Sequence, residues 1–171
     1  MYSQLAPFAA LIGQKAQGCW LGYGSVLFLE FGEPQRLEER QTHPSGESTL
    51  WCDRILWRIE QGDHVLAGSE DHRPVIESAI QQINGRSLLS GQISQSTGDL
   101  ILEFTDHLVL KTFVTTSQED ARWHFRHKDA DYVSLGPMLV PSGAWICGKA
   151  FRRKRLLVSG SRRIWIDFRC S

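Results

Sequence analysis

The residues able to do acid–base work are present in this chain, but few stand at spacings that would bring them together. Glu30 and Glu103 occupy the same place in two closely similar pentapeptides, LFLEF (Leu27–Phe31) and LILEF (Leu100–Phe104). Two carboxylates brought to one cleft between related units would serve as acid and base. A glutamate on the polar face of a strand is more often a solvated charge or a cross-strand partner, and that is the expectation for both. Glu119, Asp120, Asp129 and Asp131 flank turns and read as solvated too.

The other reactive types lead no further. His124 and His127 stand three apart in RWHFRH, so on a strand they point to opposite faces and make a poor metal pair. His43, His64, His72 and His107 have no HExxH or cysteine–histidine zinc spacing around them and read as surface or turn residues. Cys19, Cys52, Cys147 and Cys170 are scattered, without a CxxC pair, and read as reduced thiols packing as small hydrophobes. No GxSxG elbow is present. GYGSVLF lacks the lysine and the following helix of a phosphate cradle. No catalytic, cofactor-binding or metal residue is assigned, and the expectation is a protein that is not an enzyme.

Charge is the feature with direction. The 19 cations and 19 anions cancel, yet residues 149–171 hold eight cations against Asp167 alone, +7, while residues 1–148 hold 11 cations and 18 anions, −7. Within the basic segment Arg152, Arg153, Lys154 and Arg155 lie in one run near Phe151, Trp165 and Phe168. These cations could contact phosphates while Trp165 stacks on a base. Alternation on both sides of Ser159-Gly160-Ser161 predicts a β-hairpin there.

The elements that must position all this recur in order. Residues 4–12 read as a helix ending at Gly13, followed by a turn-rich stretch (Gly18, Gly22, Gly24) and the LFLEF strand. Residues 75–83 place Val75, Ile76, Ala79, Ile80 and Ile83 on one helical face, with Pro74 in the first turn and Gly85 as the stop. A strand over 86–94 and the LILEF strand follow. Each series then reaches a tryptophan-led strand, LWRIE at 56–60 and RWHFR at 122–126, that turns back to a short strand before Gly68 or Gly136. Leucines and phenylalanines line one face of each LxLEF strand, which is expected to meet the helix, and the opposite face is mixed. The polar loop 32–48 lies inside the first series as an exposed excursion. The expected fold is α+β: residues 1–137 form one domain of two helix–antiparallel-sheet units (about 4–72 and 73–137), and residues 138–171 form a basic extension.

The stretch STLWCDRILWRIEQGDHVLAGSED (48–71), with DLILEF and LVLKTF downstream, resembles a widespread family of small bacterial proteins of no assigned activity. The resemblance covers roughly residues 8–137. It implies a duplicated α+β domain and, because some members are encoded near toxin and immunity genes, an immunity role; it supplies no catalytic residues. No basic leader precedes the first apolar run, and no run approaches the roughly 18 apolar residues of a membrane span, so a cytoplasmic location is expected. The functional expectation is a protein-binding domain whose acidic surface blocks a partner such as a toxin. The alternative is a nucleic-acid accessory protein using the basic segment.

Overall fold

The computed structural model describes residues 2–3, 9–34, 43, 45–94, 96–116, 122–128 and 133–135. Eleven strands among them form two sheets in which every pairing is antiparallel. One sheet holds β2 (Ala16–Leu21), β3 (Leu27–Phe31), β4 (Ser48–Cys52), β10 (Trp123–His127) and β11 (Val133–Leu135), in the order β11-β10-β4-β3-β2. The other holds β1 (Tyr2–Ser3), β5 (Leu56–Gln61), β6 (His64–Gly68), β7 (Leu88–Ser94), β8 (Leu100–Phe104) and β9 (Leu108–Phe113), in the order β1-β7-β8-β9-β5-β6. The helix α1 (Arg73–Ile80) begins with Pro74 in its first turn and buries Ile76, Ala79 and Ile80. It tightens into a 3-10 turn over Gln81–Ile83 and stops at Gly85, whose φ of 78° is the left-handed geometry that ends a helix cheaply only at glycine.

Alternation decides which side of each strand is buried. On the five-stranded sheet Leu27, Leu29, Phe31, Leu50, Cys52, Trp123 and Phe125 point inward; on the six-stranded sheet Leu100, Leu102, Phe104, Leu108, Leu110, Trp57 and Ile59 do so. All belong to one core, and the Phe31 and Phe104 rings lie 6.5 Å apart and nearly parallel between the sheets. The apolar faces of the LxLEF strands therefore meet each other, which corrects the expectation that each would meet a helix. A helix one stripe wide cannot cover a five-stranded face, whereas a second sheet can. The helix α1 instead packs beside β6 and β2.

After the step from β1 to β2, the chain changes sheets twice more, at 53–55 between β4 and β5 and again between β9 and β10. Consequently β2-β3-β4 is completed by the late hairpin β10-β11, and β7-β8-β9 by the early hairpin β5-β6. Arg122, buried, pins both crossings: its guanidinium donates to the Arg54 carbonyl at 3.1 Å and to the Thr116 hydroxyl at 2.7 Å. Each tryptophan heading a hairpin donates its indole N–H across the core to a turn of the opposite sheet, Trp57 to the Ser25 carbonyl (2.8 Å) and Trp123 to that of Gly98 (3.3 Å). Each ring removes roughly 150–250 Å² from water, and Trp57 and Trp123 are only 2% and 1% exposed.

The sheets are stitched where β2 and β7 begin. Lys15 and Ser87 form an antiparallel bridge. Around it Gly13 N–H donates to Leu88 O and Gly85 N–H to Ala16 O, both at 2.7 Å, while Ala16 N–H donates to Arg86 O and Leu88 N–H to Gln14 O, both at 2.9 Å. The strand β2 was expected to be a turn-rich stretch; a β-bulge at Gln17, beside Gly18, interrupts the alternation that would have revealed it. The same shift interrupts β7 between Leu88 and Ser90. The predicted helix over 4–12 lies mostly outside the described residues, as do residues 138–171 with their predicted hairpin.

Candidate functional site

The outer face of the five-stranded sheet carries a row of rings set by register. Trp20, Phe28, Trp51 and His124 are cross-strand neighbours on β2, β3, β4 and β10. Their rings stack with centroids 3.9, 5.8 and 5.0 Å apart, and His43 from the loop lies on the far face of Trp20 at 4.3 Å. Two residues further along the strands runs the row Gly18, Glu30, Thr49, Arg126. Of the two expectations for Glu30, a solvated charge or a cross-strand partner, the first fails, since the residue is 2% exposed, and it engages its cross-strand neighbour Thr49. The loop before β4 folds over it: Gly46 N–H donates to its Oε2 at 3.0 Å, the Thr49 hydroxyl donates to the same oxygen at 2.8 Å, and Arg126 donates to Thr49 at 3.0 Å. Burial pushes the Glu30 carboxyl above its usual range, and these donors and the Arg126 charge only partly offset it. Gly46 lies so close that a Cβ there would strike the Phe31 backbone. The ring column and Glu30 thus form a satellite cluster on the outer face, capped by His43 and Gly46, rather than an open cleft.

The nucleophile–base pairs are placed just as firmly. The Ser48 hydroxyl lies 2.8 Å from His127 Nδ1, a spacing suited to an activated nucleophile, yet Ser48 is 2% exposed and pairs with His127 as a strand neighbour. A substrate cannot reach it. Glu103 is exposed on the outer face of the opposite sheet and accepts from the Ser90 hydroxyl at 2.7 Å. With Glu30 on one outer face and Glu103 on the other, the shared cleft imagined for them is not formed. Across that second face Lys111 and Arg58 clamp Glu60: burial alone would raise its carboxyl, but their hydrogen bonds and charges hold it below its usual range. His124 is half-buried on the outer face, stacked on Trp51, and this partial burial lowers its pKa. Cys19 and Cys52 are buried, and desolvation raises both thiols well above their ordinary value. No group of three or more metal-ligating side chains occurs among the described residues.

Among the described residues, one surface open to a partner lies at β6 and α1. The strand β6 ends the six-stranded sheet. Between it and α1 runs a groove lined by Gln61, Leu66, Pro74, Val75, Ser78 and Ala79. Val65 and Val75 are 60% and 46% exposed beside it. Asp63 sits in the turn before β6 and Glu70 and Asp71 in the turn after it, all exposed and without an ion pair among the described residues. Asp71 is held in place by accepting from Gly68 N–H at 2.7 Å. The only cation between residues 62 and 85, Arg73, is already paired with Glu77. Sequence reasoning treated WRIEQGD and VLAGSED as structural; the signal it passed over was three acids, Asp63, Glu70 and Asp71, within a stretch whose one cation is Arg73.

The sequence-predicted contacts Arg152, Arg153, Lys154, Arg155 and Trp165 lie outside the described residues. No helix among the described residues is long and apolar enough to cross a membrane. Compared with family models, curated proteins and solved structures, the chain matches none.

Proposed function

We propose that this chain is a cytoplasmic protein-binding domain of immunity type, which neutralises a cationic partner such as a toxin by covering it with an acidic surface. The observation that carries this reading is the set of exposed acids Asp63, Glu70 and Asp71 in the turns at the two ends of β6, with Val65 exposed on that strand and Val75 on α1. Unpaired acids steer a basic partner at long range, and the apolar strip beside them supplies area that leaves water on contact. The resemblance of residues 48–71 to a family with members near immunity genes agrees with it. The test is co-expression with the effectors encoded beside this gene, read as rescued growth and as co-purification. Absence of a toxin-like neighbour, with protection against none of the nearby effectors, defeats the proposal.

We read the scaffold as an internal duplication of about 72 residues. What supports this is the pairing of Gly13 with Leu88 and of Gly85 with Ala16 around the Lys15–Ser87 bridge, each bond having its counterpart 72 positions on. The bulges before Gly18 and Ser90, and the reach of Trp57 and Trp123 into opposite turns, repeat in the same manner. Under this reading the two copies share their inward residues and differ outside: the ring row Trp20, Phe28, Trp51, His124 corresponds to Gln92, Ile101, Lys111, Arg58.

A second reading, nucleic-acid binding through Arg152, Arg153, Lys154, Arg155 and Trp165, is favoured by the +7 charge of residues 149–171. It requires salt-sensitive binding that disappears when those residues are removed; full affinity in the truncated chain eliminates it.

A further inference from the structure

We infer that the groove between β6 and α1 receives an extended peptide segment of the partner, in which two cationic positions bracket a short apolar run. This rests on the protein-binding reading above and specifies what that surface recognises.

The geometry of the acids dictates the bracket. Asp63 precedes β6, and Glu70 and Asp71 follow it. The strand spans five residues, about 13 Å at roughly 3.3 Å per residue. The anions therefore stand at the two ends of a strand-length track instead of forming one patch. The groove itself offers an apolar strip of Leu66 from β6 with Pro74, Val75 and Ala79 from α1, edged by the polar Gln61, Ser78 and Gln82. A peptide in extended conformation advances by the same rise, so cations four to six residues apart reach both ends together while the residues between them meet Leu66 and Val75. A cluster of cations at one end cannot engage both. A polyanion is repelled by the same acids, which makes nucleic acid the wrong occupant here. Val75 explains why the contact is more than electrostatic: it lines the groove at 46% exposure and keeps apolar surface in water that a bound segment would cover. The bulge at Leu66, between Ile59 and Glu60 of the partner strand, also shortens the regular edge, which disfavours indiscriminate strand pairing and leaves side-chain recognition in charge.

The test uses the full chain and fluorescein-labelled heptapeptides. The probe Lys-Arg-Val-Thr-Val-Arg-Lys is compared with Lys-Arg-Ser-Thr-Ser-Arg-Lys and with Lys-Arg-Arg-Lys-Val-Thr-Val, measured by fluorescence polarisation. The first should bind, the other two several-fold more weakly, with affinity falling as salt screens the rim. The double variant Asp63→Lys, Glu70→Lys should weaken the first probe about tenfold, as expected when two exposed charge pairs become repulsive. Ser78→Arg, which fills the groove from an exposed helix position, should abolish apolar discrimination between the first two probes. Bound probe should slow hydrogen exchange in residues 62–83. The inference is overturned if the first probe does not bind, if all three bind alike, or if the variants, folded by circular dichroism, bind as the parent does. Partner capture separates the two claims. If the groove variants still neutralise an effector that the parent neutralises, the groove is wrong and the protein-binding function stands; if the parent neutralises none, the function itself fails.

Discussion

Glu30 and Glu103 hold the same position in LFLEF and LILEF, yet the structure requires very different consequences from truncating them. Glu30→Ala strips the acceptor from two donors beneath the loop, Gly46 N–H and the Thr49 hydroxyl. An orphaned buried donor costs about 1–3 kcal/mol, and relief of the desolvated charge returns part of that, leaving a net loss of about 2–4 kcal/mol. For a chain of 171 residues this lowers Tm by about 5–12 °C. Glu103→Ala removes one exposed hydrogen bond from Ser90 and should change stability by no more than about 0.5 kcal/mol. The pH dependence has a definite sign. Because burial raises the Glu30 carboxyl, the folded state holds that proton more tightly than the unfolded state does. Its contribution therefore stabilises below the ordinary glutamate pKa and is lost as pH rises through the raised value. Glu30→Gln should remove that decline, so the variant gains on the parent as pH climbs through this window. Urea and thermal melts of parent, Glu30→Ala, Glu30→Gln and Glu103→Ala between pH 4 and 7 measure all of this. Equal losses for the two alanine variants, or a parent-minus-Gln difference of opposite slope, would refute the reasoning.

Gly46→Ala should loosen the same loop, since its Cβ would meet the Phe31 backbone; increased proteolysis within residues 32–47 and a lower Tm would reveal it. Arg122→Met leaves the Arg54 carbonyl and Thr116 hydroxyl without their shared donor at the sheet crossings, costing about 2–4 kcal/mol in denaturant titration. Trp57→Phe empties part of the core and frees the Ser25 carbonyl, costing about 1–3 kcal/mol by the same measurement. Cys19 and Cys52, buried with raised thiol pKa values, should resist a maleimide at pH 8 in the native protein and label fully in denaturant, as peptide mass spectrometry would show.

Much of the fold was legible because it rests on alternation and punctuation. The LxLEF strands, the tryptophan-led hairpins, α1 and its glycine stop are local signals, and each appears within a few residues of its expected place. The helix begins two residues earlier than its apolar face, since Arg73 and Pro74 supply the first turn. What was hidden is non-local. Nothing in LFLEF distinguishes Glu30 from Glu103; the difference is a loop that closes over one of them. Nor does the sequence of either hairpin announce that it will join the distant sheet, because β5 pairs with β9 and β10 with β4 only after the chain has crossed the core. The groove at β6 escaped for a related reason: Val65 and Val75 look like core residues until their exposure is known.

The exchange of hairpins also bears on how this chain can come apart. A cut between Asn84 and Gly85 would release one fragment with β4 lacking its neighbour and another with β9 in the same condition, each still carrying the hairpin that the other needs. Neither piece holds the partner that its own open strand pairs with in the intact chain, so the two should find each other again when mixed. For the intact chain the same interlock means that no half can breathe open while the other stays whole, and that a surface loop nicked by a protease need not end the life of the molecule.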